Sequence, residues 1–359
     1  MGTHDNLQAF WSGKVVLLTG HTGFKGAWLA LWLEQLGAKV HGLALAPETQ
    51  PNAFEVLGIE DRIASSRLIN LNDFEAVRKH VVDIKPDVVF HLAAQALVRK
   101  AYKSPLDTFA TNIMGTAHIL EAIRSASKPV SIIAVTTDKV YHNKEWIWPY
   151  RENDPLGGHE PYSASKSGAE HVINAYRQTY FNDESGIKVV SVRAGNVIGG
   201  GDWAKDRLIP DAIESFSKQI PLILRNPSAT RPWQHVFEPL LGYMIIAEKL
   251  EKNDLAATAM NFGPDIGDVA PVDQVSKMLA RAWGHDAKVE IRRDQSIQES
   301  RLLALDNNLA RNQLGWVPRL SLEQAISETV LWYKAHLNNE DMIAFSLKQL
   351  ACFEDLCVV

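Results

Sequence analysis

Val15-Val-Leu-Leu-Thr-Gly20-His-Thr-Gly23-Phe-Lys-Gly26 sets the architecture of this chain. The apolar run Val15–Thr19 has the character of a strand buried on both faces. Glycines then stand at 20, 23 and 26. In such a turn the first glycine permits the tight bend. The second lets phosphate oxygens reach backbone N–H groups, and the third brings helix close to strand. Residues 26–36 carry apolar positions at helical spacing, and Gly37 follows as a stop. A buried strand, a glycine turn and a helix N-terminus, in that order, make a seat for a dinucleotide pyrophosphate.

The same alternation continues outward. The pattern predicts strands over 39–46, 87–94, 131–136 and 188–193, and helices over 74–84, 108–126 and 163–180. Strands alternating with helices imply a doubly wound α/β fold, a parallel Rossmann-type sheet covered on both faces. Ligands then sit beyond the carboxyl ends of the strands. Gly20–Gly26, Ala93–Gln95 and Thr136–Lys139 all fall just past strands. After Arg193 the texture changes, with Gly199-Gly-Gly201 and scattered prolines. The expected division is a Rossmann domain over 1–195 and a smaller α/β substrate domain over 196–359. A helix near 239–250 is expected to return to the main sheet. Residues 314–336 end in an amphipathic helix. Residues 341–359 read either as packing or as a flexible tail.

Composition narrows the function. The chain has 359 residues, 46% apolar and 22% charged, with a formal charge of −5. That is globular usage, and it argues against a general nucleic-acid or membrane-surface protein. No apolar stretch is long enough to cross a bilayer, and the N-terminus lacks a signal pattern, so a cytoplasmic location is expected. The two cysteines, Cys352 and Cys357, both lie in the tail and are expected to be free thiols. The histidines at 91, 142, 171 and 235 have no ligand spacing, and no metal site is expected.

Tyr162 and Lys166 stand at i and i+4, on one helical face. An ammonium beside a phenol favours the phenolate, which can take a hydroxyl proton while hydride leaves the same carbon. Thr136-Thr137-Asp138-Lys139 adds an acid and a second ammonium at a strand end.

Together these features resemble the extended short-chain dehydrogenase/reductase family over nearly the whole chain. Within it, Thr137-Asp138 followed by Val140-Tyr141 is similar to the nucleotide-sugar 4,6-dehydratases. Thr19 to Gly26, Ala93-Ala-Gln95, Asp138-Lys139, the block from Arg193 to Pro210, and Arg231-Pro-Trp-Gln-His235 resemble the members of that branch that act on CDP-sugars. The resemblance implies a lyase that uses NAD transiently. Tyr162 would take the O4 proton and Asp138 would protonate the departing O6, in making deoxysugar precursors such as those of O-antigens. Thr137, Asp138, Lys139, Tyr162 and Lys166 would be catalytic. Gly20, Thr22, Gly23, Phe24, Lys25, Gly26, Asn70, Leu71, Leu92, Ala93, Ala94 and Asn112 would join Tyr162 and Lys166 around NAD. Gln95, Asn196, Arg207, Arg231 and Arg301 would face the CDP-sugar. A homodimer or tetramer would follow from helices 108–126 and 163–180.

Several points stay open in the sequence. No acid for the adenosine ribose stands at the end of the second strand before Glu48, and no arginine for a 2′-phosphate stands there. Asn70 replaces the usual aspartate. Lys139 stands where the dTDP-sugar enzymes carry glutamate, so it is either a base or a charge stabiliser. Trp146 and Trp148 either cover the sugar or pack. A 4-epimerase shares the glycine turn and the tyrosine pair without needing Asp138. A non-catalytic dinucleotide-binding regulator would need neither Tyr162 nor Lys166.

Overall fold

The computed structural model describes residues 3–126, 128–284, 287–292 and 302–357. Its centre is a seven-stranded sheet: β1 (Val15–Thr19), β2 (Lys39–Ala44), β3 (Ser65–Leu68), β4 (Val88–His91), β5 (Val130–Val135), β6 (Ile187–Ala194) and β7 (Ala259–Phe262). The spatial order is β3-β2-β1-β4-β5-β6-β7 and every pairing is parallel. This is the doubly wound Rossmann order, with the switch point between β1 and β4. β3 was not foreseen, because Ser65-Ser-Arg-Leu68 is a polar edge strand with no apolar run.

Period-two alternation explains why the inner strands are apolar throughout. Val16 and Leu18 join the hydrophobic cluster on one face, and Leu17 joins the cluster on the other. Ile133 and Val135 of β5 face the first cluster, and Ile132 and Ala134 the second. The Phe74–Ile84 and Gly115–Ala126 helices cover one face; Phe24–Gln35 and Phe237–Glu251 cover the other. Phe24–Gln35 is apolar all round, with residues 26–33 all buried. Trp32 and Phe237 on that face meet Phe353 of the last helix, Met342–Leu356, at 5.9 and 5.3 Å between rings. The tail is therefore a packed helix; Cys357 is buried, Cys352 is exposed, and both are free.

The expected helix over 108–126 is interrupted. Pro105–Phe109 runs into a π-helical turn, Ala110–Met114, before Gly115–Ala126. Such a turn inserts one residue and re-aims a side chain; here that side chain is Asn112. Beyond β6 come short strand pairs and the helices Leu208–Ser217 and Val272–Trp283. No helix among the described residues is long and apolar enough to cross a membrane.

Candidate active site

The carboxyl ends of β1, β2, β4, β5 and β6 open into one cleft of about 1420 Å³. That exceeds the roughly 300–1,000 Å³ of a single small-molecule site, so the cleft has room for two ligands. At one end lies the glycine turn. Gly20 has φ +79°, and a Cβ on it would fall 2.8 Å from the Ala93 nitrogen. A Cβ on Gly26 would fall 2.0 Å from the Gly20 carbonyl oxygen. Gly23 caps the helix without a side chain, so the first-turn N–H groups face the cleft unscreened. Thr22 Oγ1 donates to the Leu45 carbonyl (2.8 Å) and ties the turn to the end of β2. These residues fit a dinucleotide pyrophosphate: the backbone lies open where any side chain would block it.

Asn70, Leu71, Leu92, Ala93 and Ala94 line the same half of the cleft, as do Phe24 and Lys25. The Asn70 Oδ1 accepts from its own turn, at Asn72 N (2.9 Å). Glu48 also lines the cleft, where Lys100 pairs with it at 2.6 Å. Asn112 sits behind the wall. Its Oδ1 accepts from Gln95 N (2.8 Å), and its Nδ2 donates to Gln95 O (3.0 Å) and Ser165 Oγ (2.8 Å). It therefore shapes the Ala93–Gln95 turn rather than facing a ligand. The same turn is held by Thr19 Oγ1, which accepts from Ala93 N (3.1 Å) and meets His91 Nδ1 at 2.8 Å. Burial pushes His91 down to about 3, so it acts as a neutral hydrogen-bonding group.

At the centre, β5 delivers Thr136 to Lys139, and the helix Pro161–Thr179 delivers Tyr162 and Lys166. Glu160 caps that helix, its two carboxylate oxygens accepting from Tyr162 N (2.7 Å) and Ser163 N (2.8 Å). Thr137 Oγ1 donates to Asp138 Oδ1 (2.9 Å), and Lys139 Nζ stands 3.6 Å from the same oxygen. Asp138 is only 1% exposed, and its Oδ2 has no partner among the described residues. Burial pushes the Tyr162 phenol up to about 12; a hydrogen bond with Thr137 pulls the other way, and Asp138 reinforces the rise. Lys166 donates to the Val135 carbonyl (2.8 Å) and not to the phenol. The depressed phenol expected from the Tyr–Lys spacing is therefore not what the centre holds. The reason is desolvation, which spacing does not reveal. Burial pushes Lys166 down to about 8. It also pushes Lys25 down to about 7, helped by the cations Arg207 and Lys166.

The other half of the cleft carries the expected substrate residues. Gln95 lines it, but its amide serves its own loop: Oε1 accepts from Leu97 N (2.7 Å) and Nε2 donates to Thr108 Oγ1 (2.9 Å). Asn196 Oδ1 has no partner among the described residues. Arg207 donates to Asp202 Oδ2 (2.8 Å), and that carboxylate holds the guanidinium above its ordinary value. Asp202 is itself gripped through its backbone by the Tyr333 hydroxyl. Arg231 is buried and donates to Thr230 O (2.9 Å). Arg301 lies outside the described residues.

Sequence reading missed an ion cluster at this rim. Asp206 stands 3.5 Å from Arg99 and accepts from Arg225 (2.8 Å). Its partners are far apart in the chain, so no local pattern marks it. Trp146 stacks on Tyr150 (5.5 Å) and packs, whereas Trp148 is 63% exposed. Among the described residues no group of three metal-binding side chains converges.

Comparison with known proteins bears on the family and the fold. Residues 17–329 match the family model described as GDP-mannose 4,6 dehydratase. CDP-glucose 4,6-dehydratase of Salmonella typhimurium is 44% identical over 347 residues, covering 95% of this chain and 96% of that protein. UDP-glucose 4-epimerase of Mycolicibacterium smegmatis is 26% identical, covering 89% of this chain and 98% of that one. The crystal structure of UDP-glucose 4-epimerase with UDP-glucose from Thermotoga maritima superposes with a TM-score of 0.79 at 22% identity, over 90% of this chain and 99% of that one. At that identity the likeness speaks for the fold. By the family model and the near-full-length dehydratase relative, this chain belongs to the nucleotide-sugar dehydratase family of the extended short-chain dehydrogenases/reductases.

Proposed function

We propose that this chain converts CDP-D-glucose to CDP-4-dehydro-6-deoxy-D-glucose and water, as a homodimer with NAD as resident cofactor. The observation that carries the reading is Asp138, buried with one free carboxylate oxygen, beside Lys139 and in the same cleft as Tyr162. The 44% identity to a CDP-glucose 4,6-dehydratase supports the choice of base and sugar.

Bound NAD supplies a two-electron acceptor at C4 that returns the electrons within the same turnover. Its pyrophosphate is proposed to lie on the glycine turn, with Asn70 and Leu71 toward the adenine. Tyr162 takes the proton from the O4 hydroxyl as hydride leaves C4; Lys166, bonded to the Val135 carbonyl, adds an ammonium to the same cleft. The C4 ketone then acidifies the C5 hydrogen. Lys139 takes the C5 proton, and the ammonium this leaves stabilises the enolate until that proton returns to C5. Asp138 gives a proton to the departing O6, so C5 and C6 lose one water. Arg207 and Arg231 suit the substrate phosphates because a guanidinium binds oxygens in pairs. Asn196, lining the same cleft, offers an acceptor without a partner among the described residues. In this reading residues 1–195 hold the cofactor and residues 196–359 most of the nucleotide-sugar site, with the Phe237–Glu251 helix and β7 packed back on the sheet.

Incubation of the holoenzyme with CDP-, dTDP-, UDP- and GDP-glucose tests the proposal. CDP-glucose is expected to give a 4-keto-6-deoxy product that absorbs strongly in base. Formation of CDP-galactose instead would establish a 4-epimerase, which has no use for Asp138.

A further inference from the structure

Behind the cleft lies a buried polar network that the reaction above does not touch. Glu170 stands four residues after Lys166 and eight after Tyr162, on the same helix face. It is 5% exposed. Its carboxylate accepts from Thr136 Oγ1 (2.6 Å), Ser191 Oγ (2.7 Å), Arg193 Nε (2.8 Å) and Arg193 Nη2 (2.9 Å). Arg193 goes on to donate to the Tyr141 hydroxyl (2.9 Å) and the Glu152 carbonyl (3.0 Å). Its guanidinium also lies over the Tyr141 ring at 5.0 Å. Tyr141 in turn donates to Asn261 Oδ1 (2.7 Å) on β7. Thr136 and Tyr141 bracket Thr137-Asp138-Lys139 on both sides.

We propose that Glu170 is a positioning residue: one buried carboxylate that locks the segment carrying Asp138 and Lys139 to the helix carrying Tyr162 and Lys166. The roles of those four residues rest on the dehydratase reading. The lock itself rests on the geometry.

The two segments come from different elements and must address neighbouring atoms of one hexose. Placement of that kind tolerates errors of only about 0.5 Å. A buried ion pair is weak evidence for stability, since well-packed apolar residues often serve as well. What apolar packing cannot supply is a set of directional, charge-assisted bonds converging from the end of β5 and from β6 on one carboxylate of a helix. Glu170 also acts on Lys166 through charge. Burial drives Lys166 down, and the Glu170 carboxylate opposes it. Lys25 from the glycine-turn helix and His91 from β4 in turn feel the Lys166 charge, which lowers both. Around Glu170 stand Arg193 on β6 and Arg177 on its own helix. Burial alone would raise the Glu170 carboxyl; Arg193, Thr136 and Ser191 outweigh it and hold it ionised.

Two variants test the lock without any turnover. Thr136→Val keeps shape and removes one of the four bonds. Amides 137–141 should then exchange with deuterated solvent at least about tenfold faster, what one hydrogen bond to an ionised carboxylate supports, while β1 and β2 amides stay as in the wild type. Unchanged exchange at 137–141 would overturn the proposal. In Glu170→Gln, the Lys166 titration, followed by NMR of side-chain-labelled lysine and assigned with Lys166→Arg, should move to lower pH. A titration identical to the wild type would overturn it equally. If Glu170→Gln does not fold, the Thr136→Val exchange decides alone. Conversion of CDP-glucose by the wild type tests the dehydratase reading separately, so the two failures are told apart. Where turnover is seen, Thr136→Val should lower kcat and leave KM for CDP-glucose within about twofold, because the bond it removes lies behind the site.

Discussion

Glu238→Gln should flatten the pH dependence of stability. Glu238 lies in the first turn of the Phe237–Glu251 helix, 1% exposed. Its Oε1 accepts from Arg319 N and Leu320 N, both at 2.8 Å, and Oε2 has no partner among the described residues. Burial pushes the carboxyl from its ordinary 4.5 up to about 7, against the pull of those N–H groups and Arg319. The folded chain thus keeps a proton that the unfolded chain has lost. A raised folded value stabilises fully below the unfolded pKa and is lost as pH rises through the folded one. The gap corresponds to about 3 kcal/mol at about 1.4 kcal/mol per pH unit, of which about 2 kcal/mol disappears between about pH 5.5 and about pH 8. Glutamine keeps the Oε1 acceptor and has no proton to lose. Urea unfolding of the ligand-free protein at both pH values, with and without the substitution, isolates this group. Other titrating groups cancel in the difference, including His91 and His235, whose lowered values act on the acid side. The wild type should lose about 2 kcal/mol more than the variant. Equal losses, within about 0.5 kcal/mol, would mean that Glu238 carries no extra proton in the folded chain.

Gly26→Ala should abolish NAD binding in calorimetry while the protein stays folded, because the added methyl reaches 2.0 Å from the Gly20 carbonyl and must push the turn out of place. Asp138→Asn should lower the rate of water loss by about 10²–10⁴-fold, the contribution of a placed proton donor. Product analysis should then show a C4 ketone with its C6 hydroxyl intact. Asn112→Leu removes three hydrogen bonds that shape the Ala93–Gln95 turn. It should cost about 2–3 kcal/mol in chemical unfolding. Treatment with a chelator should leave the activity of the holoenzyme unchanged.

The main sheet was legible because its inner strands are apolar on both faces and end in glycine or small-residue turns. β1, β5 and β6 could be read from such runs alone. β3 could not, since an edge strand of Ser65-Ser-Arg-Leu68 has no pattern to mark it. The break at Ala110–Met114 escaped for a related reason: helical spacing carries through a π turn, and only the pairing of Asn112 with Gln95 shows what the extra residue does. At the site, residues close in sequence were legible and those joined through space were not. Tyr162 and Lys166 share a helix, and Thr137 to Lys139 share a turn. Glu170 and Arg193 meet from a helix and a strand, as Asp206 meets Arg99 and Arg225 from three separate elements. Spacing also misjudged the phenol, because its environment is set by burial and by Lys166 turning to the Val135 carbonyl.

In the proposed reaction one hexose lends two electrons at C4 and receives them back at C6 within a single turnover. CDP-glucose carrying deuterium at C4 follows those electrons. The label should be recovered at C6 of the 4-keto-6-deoxy product; label remaining at C4, or washed into solvent, would rule out the internal return of the hydride.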